Sequence, residues 1–451
     1  MKKALDRVAW DLAHEVAVNV LAAFALGVLA FVLLGGSVQD LYLRMRVSAP
    51  TSGEVALLTL DEEAFYLWDA AAPAPDVTPR ALLAELIQFL DAAGARVIVL
   101  DLLLDSPQPG DDALAAAAKA HGAVVAAERF HIGSGGSVTA FAPATVAPLD
   151  EAVVAGFANL EQEESTLFSE EMLVRRAPLV WHLSRARLTG TWPMNLVGGW
   201  QDDHTVMPSL TLAAAWLKRH PGASSTELYA ALETRCGGLP LACTISLADL
   251  GLPVAPGALT DPLSINFRGR DGRDGIPVVP AARVLRLAGQ AALARTLGVD
   301  MAVEVPEEVG ALLRDKVVVI GRVDRAGEAD RDHFVTPFSF PTMLHADMAG
   351  CRIQAQVIDT LLSGRHIRAF GGWPCWLVGL GLAAAVVASA RGNDPARHTT
   401  GWLLVATSLL AGGVMLFSMT DGVSVDVAPP LAGLLTALTC VHVVGRAKNP
   451  G

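Results

Sequence analysis

Four long apolar runs bracket a polar middle, and they limit what this chain can fold into more than any other feature. Val16 to Leu34 is a nineteen-residue run broken only by Asn19. Trp373 to Ala390, Trp402 to Met419 and Val427 to Val444 follow near the other end, eighteen residues each and free of Asp, Glu, Lys and Arg. At 1.5 Å of helix rise per residue, runs of this length suit a hydrocarbon core of about 30 Å. The whole chain of 451 residues is 52% hydrophobic with a mean hydropathy of +0.42, more apolar than soluble chains of that length. Four transmembrane α-helices are therefore expected, at 16–34, 373–390, 402–419 and 427–444. Trp373, Trp376 and Trp402 fall at their ends, where indole rings favour the interface. Two readings compete. Lys2 and Lys3 fit the n-region of a cleaved signal peptide, and the last three runs fit a buried helical hairpin.

Basic residues set the orientation. Lys2, Lys3 and Arg7 precede the first run, Arg391 and Arg397 join the second to the third, and Arg446 and Lys448 follow the fourth. The loop between the third and fourth holds Asp421 and Asp426 and no basic residue. The positive-inside rule puts residues 1–15 and 445–451 in the cytoplasm and the middle of the chain outside, in the periplasm of a Gram-negative cell. Arg44 and Arg46 lie on the outer side against the rule. Residues 49–368 carry 25 Lys and Arg against 39 Asp and Glu, a net of −14. So acidic a surface excludes nucleic acid as the partner, since phosphate binding needs a basic face.

The middle of the chain alternates strands and helices. Val317 to Ile320 is short, apolar and β-branched, and Gly321 stops it, the pattern of a parallel strand covered on both faces. Val55 to Leu60, Arg96 to Leu104 and Ala123 to Ala127 read as further strands. Arg80 to Ala93 reads as a helix with Leu82, Leu83, Leu86, Ile87 and Leu90 on one face, and Gly94 as its stop. Asp111-Asp112 heads a second helix to His121. Met207 to Leu217, Val284 to Leu293 and an amphipathic stretch from Ile353 to Leu362 read as helices, Leu263 to Phe267 as a strand, and His131 to Val138 as a loop. Strand-helix-strand units with short joints predict an α/β domain with a mostly parallel sheet flanked by helices.

These stretches, in this order, resemble the CHASE2 family of bacterial extracellular sensor domains. The resemblance rests on Val55-Ala-Leu-Leu-Thr-Leu-Asp61, on Pro79-Arg80 with the helix after it, and on Gly94-Ala-Arg-Val-Ile-Val-Leu-Asp101. It continues through Gly156-Phe-Ala-Asn-Leu, Val174-Arg-Arg-Ala-Pro-Leu179, Ile265-Asn-Phe-Arg-Gly269 and Val317-Val-Val-Ile-Gly321. Asp332-His-Phe-Val-Thr-Pro337 and Gln354-Ala355 before Leu361-Leu-Ser-Gly364 complete it. It covers residues 38–368 and implies a periplasmic or extracellular sensor on an inner-membrane, multi-pass anchor, with homo-oligomers as the family's habit. Arg322 and Val323 stand where the family has small residues. The family also continues past its last span into an output domain, whereas this chain reaches Gly451 soon after the fourth run, so output is expected on a separate cytoplasmic protein.

Open α/β sheets bind ligands beyond the carboxyl ends of their strands. Asp61, Asp101, Asp105 and Asp332 gather there if the sheet forms, and make a pocket for a cation or polar ligand. The alternative for them is helix capping and loop hydrogen bonding. The candidate ligand-binding residues are Asp61, Arg80, Asp101, Asp332 and His333; His333 beside Asp332 is a residue type suited to sensing pH, with an exposed loop histidine as the alternative, and Arg80 suits an anion or a carboxylate partner. Asp324, Glu328, Asp330 and Asp332 resemble a calcium loop only loosely, so no metal is expected, and no cofactor. Five cysteines show no metal-ligand spacing; Cys236 and Cys243 flank a turn, and an oxidising compartment permits a disulfide between them. No Walker sequence and no Gly-x-Ser-x-Gly elbow is present. The expected function is a membrane-anchored sensor subunit that detects a small ligand or an envelope protein. A structural envelope component that only assembles, and an ectodomain enzyme, are the other two readings.

Overall fold

The computed structural model describes residues 51–68, 78–132, 138–142, 147–164, 172–182, 206–236, 246–253, 263–268, 275–287, 305–323, 332–338 and 347–370. It also describes Leu43, Leu377, Gly381, Leu382 and Val423–Val425. The chain forms two units, one of Pro50–Glu163 with Met172–His366 and one of Met1–Ala49, Glu164–Glu171 and Ile367–Gly451. No helix among the described residues is long and apolar enough to cross a membrane. The four apolar runs lie outside those residues except for Leu377, Gly381 and Leu382. Cys243, Asp324, Glu328 and Asp330 also lie outside them.

The first half of the larger unit runs β1 (Val55–Leu60), α1 (Glu62–Trp68), α2 (Arg80–Ala92), β2 (Val97–Leu103), α3 (Asp111–His121) and β3 (Val124–Ile132). There follow β4 (Val138–Ala142), β5 (Val154–Phe157), β6 (Glu161–Glu164), β7 (Met172–Ala177), β8 (Val180–His182), β9 (Val206–Pro208), α4 (Leu210–Arg219) and α5 (Ser225–Cys236). The second half holds β10 (Leu263–Ser264), β11 (Val278–Pro280), α6 (Glu307–Leu313), β12 (Val317–Arg322), β13 (His333–Phe334), β14 (Met348–Ala349) and α7 (Gly350–Ser363). In the other unit, β15 (Arg368–Phe370) pairs in parallel with β16 (Val423–Val425).

One seven-stranded sheet organises the larger unit, in the order β11-β1-β12-β2-β3-β4, with β5 also on β3. Every pairing in it is parallel except β3 with β4. The late strand β12 lies between the first two strands, in register with both: Val319 stands opposite Leu57 and Val99. Val317 to Ile320 are fully buried, as an apolar run covered on both faces requires. Side chains alternate across the sheet. Ala56, Leu58, Ile98, Leu100, Val318 and Ile320 pack with Leu82, Leu86 and Leu90 of α2 and Leu114 and Ala118 of α3. The opposite face is covered by α4 and α7.

Two close approaches set that second layer. A Cβ on Gly156 would stand 2.7 Å from the backbone of Leu210, so α4 begins directly against β5. A Cβ on Gly321 would collide with the Cys351 side chain at the start of α7. Ser209 caps α4 by accepting the Leu212 amide at 3.1 Å. Met207 and Pro208 therefore belong to β9, and the predicted helix from Met207 starts only at Leu210. The predicted loop at 131–138 begins and ends inside a hairpin, since β3 reaches Ile132 and β4 starts at Val138.

α7 departs most from its sequence reading. The predicted amphipathic helix is buried on every side from Gly350 to Leu362. Its polar residues point inward and are bonded there. Gln354 donates to the Ala158 carbonyl at 2.8 Å, Gln356 accepts the Arg268 amide at 2.8 Å, and Thr360 bonds the Gln356 carbonyl at 2.8 Å.

Replacing Gly321 by alanine tests the contact that seats α7 on β12. Overpacking there is expected to lower stability by about 1–3 kcal/mol, read as a lower midpoint in thermal unfolding of the detergent-solubilised chain. An unchanged midpoint would show that α7 is not seated on the strand as described.

Candidate functional site

The strand order creates the site. The connections leaving β1 and β2 pass to the α2 and α3 face, while the one leaving β12 leads to α7 on the other. Neighbouring strands whose connections part to opposite faces leave a crevice beyond their carboxyl ends. Asp101, the fifth residue of β2, pairs in register with Gly321 of β12 at this edge. Alternation turns it toward the α4 and α7 face, opposite to Leu100. Asp332, just before β13, faces the same edge. Its carboxyl group lies on the first residue of α7, where a Cβ on Gly350 would meet the three carboxyl atoms at 2.6 to 2.9 Å.

The two aspartates act on one another. Burial and the facing Asp332 charge push Asp101 well above the usual carboxylate range. Burial pushes Asp332 up to about 6, and the Arg129 guanidinium opposes that rise. Like charges in a shared, poorly solvated site keep a proton that water would remove. Cys351 completes the group: its thiol lies 3.6 Å from the Arg322 carbonyl, and it is fully buried. Burial raises its pKa first, then Asp101 and Asp332, with Arg352 opposing. A thiol held in its neutral form is a poor nucleophile. The crevice therefore presents acidic groups that accept a proton, a cation or a hydrogen-bond donor. Among the described residues, no group of three or more His, Cys, Asp or Glu is placed to hold a metal ion.

The five sequence candidates divide between several places. Asp101 and Asp332 come together. His333 follows Asp332 and pairs with Ala349 in the two-stranded β13–β14 sheet, partly buried. Asp61 caps α1 by accepting the Ala64 amide at 2.9 Å. Arg80 is buried on the α2 and α3 side of the sheet, where its Nε donates to Asp111 at 3.0 Å and its Nη2 to the Ser106 carbonyl at 3.3 Å. For these last two the capping and carboxylate-partner alternatives describe the bonds they make. Cys351, Arg352 and Arg129 were not among the candidates. Gly350 ahead of Cys351 was the available signal, a glycine where a helix and a carboxylate approach closely.

The described residues define a layered α/β domain with an acidic crevice at the carboxyl ends of its parallel strands. The chain matches the CHASE2 domain over residues 16–390. It belongs to the CHASE2 family, whose members are extracellular sensor domains. No curated protein and no solved structure matches it.

Raised carboxylates make stability depend on pH with a definite sign. Asp332 is near 3.9 in an unfolded chain and about 6 in the folded one. Its neutral form is favoured by folding, so this contribution is complete below about pH 4 and is lost as pH rises through 6. Asp101→Asn removes the other raised carboxyl, whose contribution has the same sign. It should flatten the loss between pH 4 and 7 and stabilise the chain at pH 7.5 by on the order of 1 kcal/mol. Thermal unfolding across that range, wild type against variant, checks it. Parallel curves would mean that folding does not hold the Asp101 carboxyl in its neutral form.

Proposed function

We propose that this chain is a membrane-anchored sensor subunit. Its CHASE2 domain takes a small polar or cationic ligand, or an envelope protein, in the crevice between Asp101 and Asp332. Its apolar runs anchor it in the inner membrane as a homo-oligomer, and a separate cytoplasmic protein supplies the output. The observation that carries this reading is the acidic pair itself. Two facing carboxyl groups share a poorly solvated crevice at the first turn of a buried helix, where burial makes it costly for both to ionise. Such an arrangement costs stability, and a ligand that neutralises it recovers the difference.

The anchor has support of its own. The family match starts with the first residue of the first apolar run and ends with the last of the second. Strand β15, just ahead of the second run, pairs with β16, which lies between the third and fourth runs. Two intervening spans return the chain to the side it left, so this pairing fits 373–390 and 402–419 as spans. It also fits the charge pattern that places both loops outside. The thiol held neutral, and the lack of a nucleophile motif, support binding over catalysis.

Two measurements test the reading. A ligand present at a hundred times its Kd should stabilise the solubilised chain by about 2.7 kcal/mol, and Asp101→Asn should abolish the thermal shift. A flat response across broad metabolite and cation panels, from a chain that assembles into envelope complexes, would replace sensing by a structural role. Reporter enzymes active only outside the membrane should work when fused after Gly36 and fail when fused after Arg446. The reverse pattern would invert the topology.

A further inference from the structure

A second charged cluster lies toward the other end of α7 from the crevice. Asp359 and Arg268 form an ion pair at 2.9 Å with both side chains fully buried. The other oxygen of Asp359 accepts both the backbone N–H and the hydroxyl of Ser52, each at 2.7 Å. Arg268 also donates to the Ser363 hydroxyl at 2.9 Å. Ser52 lies just ahead of β1, where the chain arrives from the first apolar run. Ser363 ends α7, where the chain departs for the second.

Arg219 of α4 makes a second bridge between the same two segments. It donates to both carboxylate oxygens of Glu54, at 3.0 and 2.7 Å, and to the Leu362 carbonyl at 2.9 Å. Asn266 adds a bond to the Arg365 carbonyl. Incoming and outgoing segments, some three hundred positions apart in sequence, are thus bonded to each other through two separate charged groups.

We infer that Asp359, Arg268 and Ser52, seconded by Arg219, form a transmission joint that makes the incoming and outgoing segments one mechanical piece. A shift of α7 in the crevice is then passed to both segments at once.

Stability does not account for such a pair. Removing two charges from water is costly, and well-packed apolar residues in their place are often as stable or more so. What apolar packing lacks is direction. Bonds from Ser52 to Asp359, and from Arg268 to Asp359 and Ser363, fix both the rotation and the register of α7, the best-attested use of a buried polar contact. The helix itself suits a relay. Its 14 residues span about 21 Å, from Gly350 against the Asp332 carboxyl to Ser363 at the joint. It is packed on all sides, and close-packed interiors transmit displacement rather than absorb it.

The inference rests on the proposed sensor reading, and its test separates the two. The full chain is placed in lipid nanodiscs with spin labels, carried by non-natural residues, at positions 38 and 371. Pulsed electron paramagnetic resonance then gives the distance distribution between them. Wild type should give one narrow distribution. The double variant Arg268→Met with Asp359→Leu should keep its melting temperature yet broaden that distribution about twofold, as expected for segments released from a shared contact. Ser52→Ala leaves the buried pair intact and should broaden it by a smaller factor; it carries the test if the double variant does not fold. A narrow distribution in the folded variants, or a broad one in wild type, overturns the joint. A chain that does not enter the discs overturns the membrane reading, and the joint with it, before any distance is measured.

Discussion

A strand buried on both faces has no side on which to carry a polar group, and β12 is such a strand. It lies between β1 and β2, with α2 and α3 beneath it and α7 above. Each of its contacts is apolar until Gly321, where the Cys351 side chain takes the space a Cβ would need. Polar chemistry is therefore excluded from the middle of the sheet and confined to its carboxyl edge. The acidic crevice is a consequence of that exclusion. Asp101 is the first residue of β2 after Leu100 that is not fully buried, and it stands opposite the residue at which β12 stops being apolar.

How much of this was legible depended on whether one local signal decided the matter. Strands β1 and β12 are apolar runs with a clear stop, and helices α2 and α3 have a single apolar face and a glycine after their last turn; all four were read within a residue or two. Strand β3 was read only to Ala127, because Glu128, Arg129 and His131 interrupt its apolar pattern while its backbone continues to pair with β4. Helices α5 and α6 were not read: Ser225–Cys236 has little apolar face, and Glu307–Leu313 is barely two turns. The juxtaposition of Asp101 with Asp332 was legible as two acids ending predicted parallel strands or their loops. The company they keep was not. Cys351 and Arg352 reach the crevice through the seating of α7 on Gly321, and Arg129 through the part of β3 beyond Ala127, where the predicted strand ends.

The helix α7 shows why pattern alone misjudges a central element. Gln354, Gln356, Asp359 and Thr360 read as its solvent face, yet each is buried and bonded. Amphipathic periodicity reports polarity, and polarity reports solvent only when nothing polar is available inside. Here Arg268 and Ser52 are available. An isolated acid among apolar neighbours, as at Asp359 within Val357-Ile358-Asp359-Thr360-Leu361, signals a buried partner elsewhere in the chain. Arg268 was already visible within the Ile265-Asn-Phe-Arg stretch, but nothing local ties two residues that lie 91 positions apart.

The two ends of α7 differ in the sign of what they meet. At Gly350 the helix meets the Asp332 carboxyl, which faces Asp101 in a crevice where ionising both groups is unfavourable and a proton, cation or donor relieves the cost. At Asp359 it meets a carboxylate already matched by a guanidinium and two donors from Ser52, an arrangement that no ligand improves. On the sensor reading proposed above, an element with an unfavourable carboxyl pair at one end and a matched ion pair at the other responds to a ligand at the first and holds its grip at the second. Differential stabilisation of that kind is what a conformational response requires, since a ligand shifts an equilibrium only by the difference in its interaction with the two states. The same asymmetry gives the response a direction. In the proposed joint, relief at the crevice leaves the contacts at the far end made, so the helix would carry its attached segments with it instead of parting from them.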